Sequence, residues 1–162
     1  MSCRNWFQQV HQSNIIANDA YMGRLTTEAA VKAIMSGIDI NHAAITGLQP
    51  LHYAVIHRQT ELVECLLAYG AKTDVYGDHH LTPMHYVTDS ALDILHLLLD
   101  AGASVNVASY SGETPFVRCI LTSNVACARR IASEPSFDMD FVYKGTSMRH
   151  WIEKLPAKVI ED

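Results

Sequence analysis

Apolar residues occur in short runs along the chain, and two of these runs are followed by a glycine. The clearest runs are Leu-Val-Glu-Cys-Leu-Leu at 62–67 and Ile-Leu-His-Leu-Leu-Leu at 94–99. Their apolar side chains cover most faces of a 3.6-residue helix, which is typical of a helix packed between neighbours. Gly70 and Gly102 follow the two runs, where a left-handed residue without Cβ ends a helix. The pattern therefore predicts short helices that are buried on more than one side.

A second kind of segment has a proline after its first residue and recurs at nearly constant spacing. Its copies are Gln-Pro-Leu-His-Tyr-Ala-Val at 49–55, Thr-Pro-Met-His-Tyr-Val-Thr at 82–88 and Thr-Pro-Phe-Val-Arg-Cys-Ile at 114–120. The prolines are 33 and 32 positions apart. The glycine-containing segments at 36–41, 69–74 and 101–106 keep the same two spacings. A fixed period of this length predicts a stack of similar supersecondary units.

The residues of the second segment suit the start of a helix. Proline is tolerated in the first helical turn because the N–H that it lacks has no partner there. Thr82 and Thr114 precede the prolines and are placed to accept a hydrogen bond from the first helical turn. Gln49 replaces the threonine in the first copy, so we expect a weaker cap there.

These segments resemble the ankyrin repeat, whose signature is Thr-Pro-Leu-His-x-Ala followed by a second helix that ends in Leu-Leu-x-x-Gly-Ala. The resemblance implies an all-α solenoid of about four to five helix-turn-helix repeats, with short hairpin-like loops. It also implies that His52 and His85 are structural, because the motif histidine of the family bonds to the loop and to the neighbouring repeat. Val117 replaces that histidine in a later copy, and His80 stands where the loop normally has glycine.

The repeat register divides residues 1–162 into the parts of one domain. We expect an extra N-terminal helix at 1–12, a degenerate capping repeat at 13–40, repeats at 41–72, 73–105 and 106–138, a partial capping repeat at 139–155 and a tail at 156–162. The extra helix is either a cap on the first repeat or a docking segment. The second helix of the fourth repeat is predicted at 125–132, and the third repeat is one residue short between its helices, so we expect less regularity there.

Composition narrows the class of protein. Lys and Arg number 12 against 17 Asp and Glu, a formal net charge of −5, which disfavours binding to nucleic acid phosphates. No apolar run approaches the roughly 18 residues that span a bilayer, so we expect no membrane partner. We expect the four cysteines to be reduced thiols and not to form disulfide bonds. We therefore expect a small standalone cytoplasmic protein, monomeric on its own, either in its own cell or delivered into a host cell.

Little in the sequence suggests catalysis. His79, His80 and His85 form the densest histidine group, with Asp78 as the adjacent carboxylate. A metal-dependent enzyme built on that group is the weakest alternative, because zinc needs three or four converging ligands and His85 belongs to the repeat motif. No Gly-x-Ser-x-Gly element or phosphate loop occurs. We expect no catalytic residues, no cofactor and no bound metal.

The resemblance instead implies a non-catalytic protein–protein interaction module, acting as an adaptor, inhibitor or host-directed effector. Its partner would lie on the concave face, built from the hairpin tips and the exposed side of the first helices. The residues predicted to bind the partner are Tyr53, Ile56, His57, Tyr76, Asp78, His79, Tyr86, Asp89, Tyr110 and Arg118. Further positions on this face are Ala43, Ala44, Ile45, Ser111, Glu113, Leu121 and Thr122. The alternative is a structural subunit that oligomerises through Trp6 and Phe7 or through Trp151.

Overall fold

The chain folds into successive pairs of short antiparallel helices. The computed structural model describes residues 13–44, 46–87 and 91–155. Its helices are α1 at 13–21, α2 at Thr27–Met35, α3 at Pro50–Ile56, α4 at Thr60–Ala68, α5 at Leu92–Asp100, α6 at Pro115–Leu121, α7 at Val125–Ala132 and α8 at Met148–Glu153. This order confirms the predicted helical solenoid. The helix predicted for 1–12 and the tail predicted for 156–162 lie outside the described residues.

Hairpin-like loops join the repeats, and the same hydrogen bond recurs in three of them. The amide N–H groups of Ala44, Gly77 and Ser109 donate to the carbonyls of Leu48, Leu81 and Glu113 at 2.8, 2.9 and 2.9 Å. The donors are 33 and 32 residues apart, so the loops follow the sequence period. The last hairpin has two short antiparallel strands, β1 at Val142–Tyr143 and β2 at Thr146–Ser147, which lead directly into α8.

The helix ends form as the sequence predicts at Thr114 and at the two glycines, whereas the side chain of Thr82 accepts no hydrogen bond from the first turn of its helix. Thr114 accepts a hydrogen bond from the amide of Val117 at the start of α6. Gly70 and Gly102 have φ angles of +86° and +83°, the left-handed conformation expected after α4 and α5. The side chains of α4 and α5 that face neighbouring repeats are fully buried, as Leu66 and Leu98 show. Each such leucine contributes about 1.5–3 kcal/mol through removal from water.

The third repeat departs from the others. Its first helix is a four-residue 3-10 segment, Pro83–Tyr86, whereas α3 and α6 have seven residues each. The prediction of lower regularity in this repeat is therefore confirmed. Residues 88–90, where the sequence is one residue short, lie outside the described part of the chain.

His52 joins the first helix of the second repeat to the hairpin of the third. Its Nδ1 accepts a hydrogen bond from the amide of Gln49 at 3.1 Å, so the ring proton resides on Nε2. That nitrogen donates to the carbonyl oxygen of Leu81 at 3.2 Å. The imidazole therefore holds the helix start and the next hairpin together, and the predicted structural role of His52 is confirmed.

His85 makes the equivalent connection one repeat later. The amide of Thr82 donates to its Nδ1 at 3.1 Å, and its Nε2 donates to the carbonyl of Glu113 at 3.1 Å. The series ends at Val117, which is 3% exposed and whose side chain offers no polar group to the partial capping repeat at 139–155. The structural role predicted for His85 is confirmed.

A second series of hydrogen bonds joins the segments that follow the second helices of consecutive repeats. Asn41, Asp74 and Asn106 accept, through a side-chain oxygen, the amides of Lys72, Ser104 and Asp138, each at 2.9 Å. Donor and acceptor lie 30 to 32 residues apart, so each bond joins consecutive repeats. Stability is consequently distributed over the interfaces between repeats.

The buried histidines make stability depend on pH. Burial lowers the pKa of His52 and the pKa of His85 to about 4, from a usual value of 6.5. In the unfolded chain both rings take up a proton below about pH 6.5, whereas the folded protein keeps them neutral until about pH 4. The free energy of unfolding should therefore be highest above pH 6.5. It should fall towards pH 4 by up to about 1.4 kcal/mol per pH unit for each histidine.

Urea unfolding of a His85→Gln variant between pH 4.5 and 7.5 tests this predicted pH dependence of the free energy of unfolding. The variant should show a shallower pH dependence, because one of the two titrating rings is gone. It should also lose about 1–3 kcal/mol at pH 7, since buried polar groups lose their partners. His96→Gln, at an exposed position of α5, is the control and should keep the wild-type slope. Equal slopes for all three proteins would contradict the prediction.

Candidate functional site

Three aromatic rings stack at the tips of two neighbouring hairpins. The ring of His80 lies between Tyr76 and Tyr110, with centroid distances of 3.6 and 5.0 Å and interplanar angles of 12° and 18°. Tyr76 is 52% exposed and Tyr110 is 81% exposed. We call these three side chains the ring stack. It presents aromatic surface to solvent from both the third and the fourth repeat.

Hydrogen bonds hold the ring of His80 and the backbone of Tyr110. Nδ1 of His80 donates to the carbonyl of Ala108 at 3.1 Å, and because a carbonyl only accepts, this nitrogen carries a proton. The amide of Tyr110 donates to the carbonyl of His79 at 3.1 Å. Both bonds connect the hairpin of the third repeat to the hairpin of the fourth, so the two loops that carry the rings are joined to each other.

The backbone at His80 is strained. His80 occupies the position that Gly47 and Gly112 occupy in the neighbouring hairpins, 33 residues after the one and 32 before the other. Its φ is +63°, against +79° and +80° for the two glycines, and His79 before it has φ +55°. A left-handed non-glycine residue costs roughly 1–2 kcal/mol. The chain thus accepts strain that glycine would avoid, and the residue that bears it is the middle ring of the stack.

Gly77 sets the position of the hairpin of the third repeat against the repeat before it. A Cβ added at Gly77 would lie 2.1 Å from Cδ2 of Leu48 and 3.2 Å from Nε2 of His52. The backbone therefore approaches the second repeat more closely than a larger residue permits. This close approach anchors the loop that carries Tyr76.

A cavity of about 230 Å³ opens beside Tyr110. It is lined by His79, Leu81, Ser109, Tyr110, Ser111, Glu113 and Arg118. Arg118 donates from Nε to the carbonyl of His85 at 3.0 Å and from Nη1 to Oε2 of Glu113 at 3.1 Å. Its guanidinium is largely committed to these contacts, so Arg118 supports the cavity wall and the preceding repeat.

The structure contradicts the predicted exposure of Tyr53. This residue is only 3% exposed, because its hydroxyl hydrogen-bonds Oγ1 of Thr46 and its ring packs edge-on against Tyr21 with centroids 5.5 Å apart. Tyr86 holds the same repeat position and is half-buried, with its ring edge-on to His52 at 6.0 Å. Tyr53 therefore belongs to the interface between the first two repeats.

The other predicted positions differ in their accessibility. Ile56 and Leu121, at the ends of α3 and α6, are 37% and 56% exposed. We call these two residues the first-helix ends. The remaining exposed members of the predicted set are His57, Tyr76, Asp78, His79, Tyr110, Ser111 and Thr122. Ala43, Ala44 and Glu113 are half-buried, and Asp89 and Ile45 lie outside the described residues.

The histidine group does not form a ligand set. Both ring nitrogens of His85 are bonded within the repeat motif, His80 is part of the ring stack, and His79 is exposed beside Asp78. Within the described ranges, no group of three His, Cys, Asp or Glu side chains is arranged to hold a metal ion. Burial raises the pKa of the Cys119 thiol to about 12, which keeps it protonated at neutral pH.

Some exposed apolar residues were not predicted from the sequence as part of a binding surface. Tyr21 and Met22, at the end of α1, are 49% and 56% exposed. The role of His80 in the ring stack was also missed, although its replacement of a periodic glycine was a visible signal. Over the part of the chain described, no helix is long and apolar enough to cross a membrane.

Comparison with known proteins assigns the family. A family model of ankyrin repeats (three copies) matches residues 20–109. The chain therefore belongs to the ankyrin repeat family, whose members are generally non-catalytic protein–protein interaction modules. This agrees with the repeat and the loop pattern described above.

Two relatives show how much of longer proteins the chain represents. It is 38% identical to Ankyrin repeat and SOCS box protein 16 of Homo sapiens over 91 residues, which are 55% of this chain and 20% of the relative. It is 31% identical to Ankyrin repeat and SOCS box protein 6 of Mus musculus over 122 residues, 73% of this chain and 29% of the relative. The chain thus spans less than a third of either relative.

Substitution of His80 by alanine tests the ring stack. His80→Ala removes two ring contacts and one hydrogen bond, so it should lower the free energy of unfolding by about 1–2 kcal/mol. The Tyr76 and Tyr110 ring signals should move towards random-coil shifts in NMR spectra. His79→Ala is the matched control, since it also stands at positive φ but loses only a contact exposed to solvent. Equal destabilisation by both variants would show that the ring of His80 contributes nothing.

Proposed function

We propose that this chain is a non-catalytic module that binds a partner protein on its concave face. The proposed surface comprises the ring stack and the first-helix ends. The observation that carries the proposal is the ring stack itself, because a histidine in a strained conformation holds largely exposed aromatic rings in fixed positions. Exposed aromatic surface of this kind supports a binding role.

Fixed rings favour binding for an energetic reason. Association costs the entropy of every side chain that becomes ordered, about 0.5–1.5 kcal/mol for each mobile one. Tyr76 and Tyr110 are already held by the ring of His80, so much of this cost is met before a partner arrives. Tyrosine is also among the residue types that dominate binding energy in protein interfaces.

The adaptor role is the one we favour among the possible uses of this surface. Both relatives are named for a SOCS box in addition to ankyrin repeats. In an adaptor, the repeats would select a partner while another element performs a second task. An inhibitor or a host-directed effector would use the same contact to cover a surface of the partner. The three described cysteines are free thiols, which supports a cytoplasmic setting.

Oligomerisation through Trp151 is the second candidate function. The ring of Trp151 is half-buried and lines a largely apolar cavity of about 410 Å³ together with Ile120 and Leu155. Because the ring already packs against its own repeat, it offers less free apolar surface than Tyr110. We therefore prefer a partner of a different sequence on the concave face.

Charge substitutions on the first helices and on the second helices of the repeats test the proposed surface. Ile56→Asp and Leu121→Asp place a carboxylate at the first-helix ends, whereas Met35→Asp and Tyr69→Asp place one at the ends of α2 and α4. All four positions are at least 37% exposed, so the fold should survive. In affinity capture with quantitative mass spectrometry, both variants of the first pair should lose the same set of proteins. The captured amount of these proteins should fall at least about tenfold, which corresponds to about 1.4 kcal/mol of binding free energy.

The second pair of variants is the control and should capture that set as the unchanged chain does. Circular dichroism and the midpoint of urea unfolding would establish that all four variants are folded. Loss of the captured proteins from the control pair alone would contradict the proposed surface and place the contact on the second helices.

A further inference from the structure

We infer that the ring stack binds an arginine side chain of the partner protein, with its guanidinium plane lying on the outer face of Tyr110. The inference rests on the proposed function and specifies the chemistry of one contact within it. It makes the outermost ring the recognition element and the two rings behind it the support.

The geometry of the ring stack suits a planar group. Its successive rings are tilted by only 12° and 18°, so they form a column of plates. His80 covers one face of Tyr110, yet Tyr110 remains 81% exposed, which leaves its other face open to solvent. A planar guanidinium placed there would extend the column by one plate. Arginine is the side chain that stacks on aromatic rings in this manner.

The charges around the ring stack favour a cation. The hairpin segments at 73–81 and 106–114 contain no lysine or arginine. Of their three carboxylates, Asp78 is exposed beside His79, whereas Asp74 accepts the amide of Ser104 and Glu113 is paired with Arg118. An aromatic ring carries negative potential on its face, and a cation within about 6 Å of its centroid is attracted. The whole chain also has a net charge of −5, which favours the approach of a basic partner.

The partial capping repeat at 139–155 already contains a contact of this kind. Nζ of Lys144 lies 5.1 Å from the ring centroid of Tyr143. The arginine in the cavity wall, Arg118, is bonded to Glu113 and to the carbonyl of His85. Lys144 and Arg118 are thus engaged elsewhere, and we assign the open face of Tyr110 to a cation of the partner protein.

The parallel arrangement also selects among cations. A lysine ammonium is tetrahedral and gains most when rings surround it at different angles. In the ring stack all three planes are nearly parallel, so a compact ammonium meets one ring only. A guanidinium matches the same surface over its whole plane, and we expect arginine to bind more tightly than lysine.

Peptide titrations followed by NMR test the inference on the intact chain. The probes are four acetylated and amidated tripeptides, Gly-X-Gly, in which X is arginine, citrulline, lysine or glutamate. The arginine peptide should shift the ring signals of Tyr110, with smaller shifts at Tyr76 and His80. Citrulline has nearly the same shape without the charge and should bind about two- to fivefold more weakly, as expected for an exposed cation–π contact.

Two variants make the result specific to the outer ring. Tyr110→Leu should abolish the difference between arginine and citrulline. Because Tyr110 is 81% exposed in the wild type, the variant should keep the fold. Tyr69→Leu is the matched control, because Tyr69 is 46% exposed at the end of α4, and it should leave peptide binding unchanged.

Equal binding of arginine and citrulline, tighter binding of lysine, or no binding of the arginine peptide would each overturn the inference. These outcomes are separable from the proposed function. If the arginine peptide fails while Ile56→Asp and Leu121→Asp still release the captured proteins, the partner surface stands and the arginine contact is wrong. If the captured proteins are insensitive to those two substitutions, the proposed function itself is wrong.

Discussion

The fold depends on a buried, neutral imidazole that joins one repeat to the next. His52 and His85 each accept a backbone N–H at the start of their own first helix and donate to a carbonyl of the following hairpin. Both rings are buried, so a protonated ring could not be hydrated by water. Burial therefore disfavours the charged form and lowers the pKa of each histidine to about 4. The two imidazoles therefore fix how far each hairpin stands from the helix before it.

The ring stack follows from that spacing. Its rings come from two consecutive hairpins, and they can meet only when both loops are held at the correct separation. His85 ties the fourth hairpin to the third repeat through Glu113, and Arg118 adds a bond to the carbonyl of His85. His80 then completes the contact between loops at the cost of a strained backbone. Strain of this kind is often found at functional sites, where surrounding contacts maintain it.

The sequence predicted the scaffold well because its signals are local and periodic. Proline at the helix start, glycine at the helix end and the 33- and 32-residue spacings each reflect a backbone requirement, and α7 begins and ends at Val125 and Ala132 as predicted. The position of a side chain relative to a neighbouring repeat was less predictable. Tyr53 and Tyr86 share a repeat position, yet Tyr53 is buried by Tyr21 and Thr46, which are specific to the first interface. The ring stack depends equally on a left-handed residue and on the adjacent loop.

A partner protein bound as proposed contacts the hairpin tips and the first-helix ends. Hydrogen–deuterium exchange of the chain, with and without a captured partner, measures that contact directly. We predict slower exchange on binding in the hairpin segments 73–81 and 106–114, with little change in α2, α4 and α5. Protection confined to those three second helices, with unchanged hairpins, would contradict it.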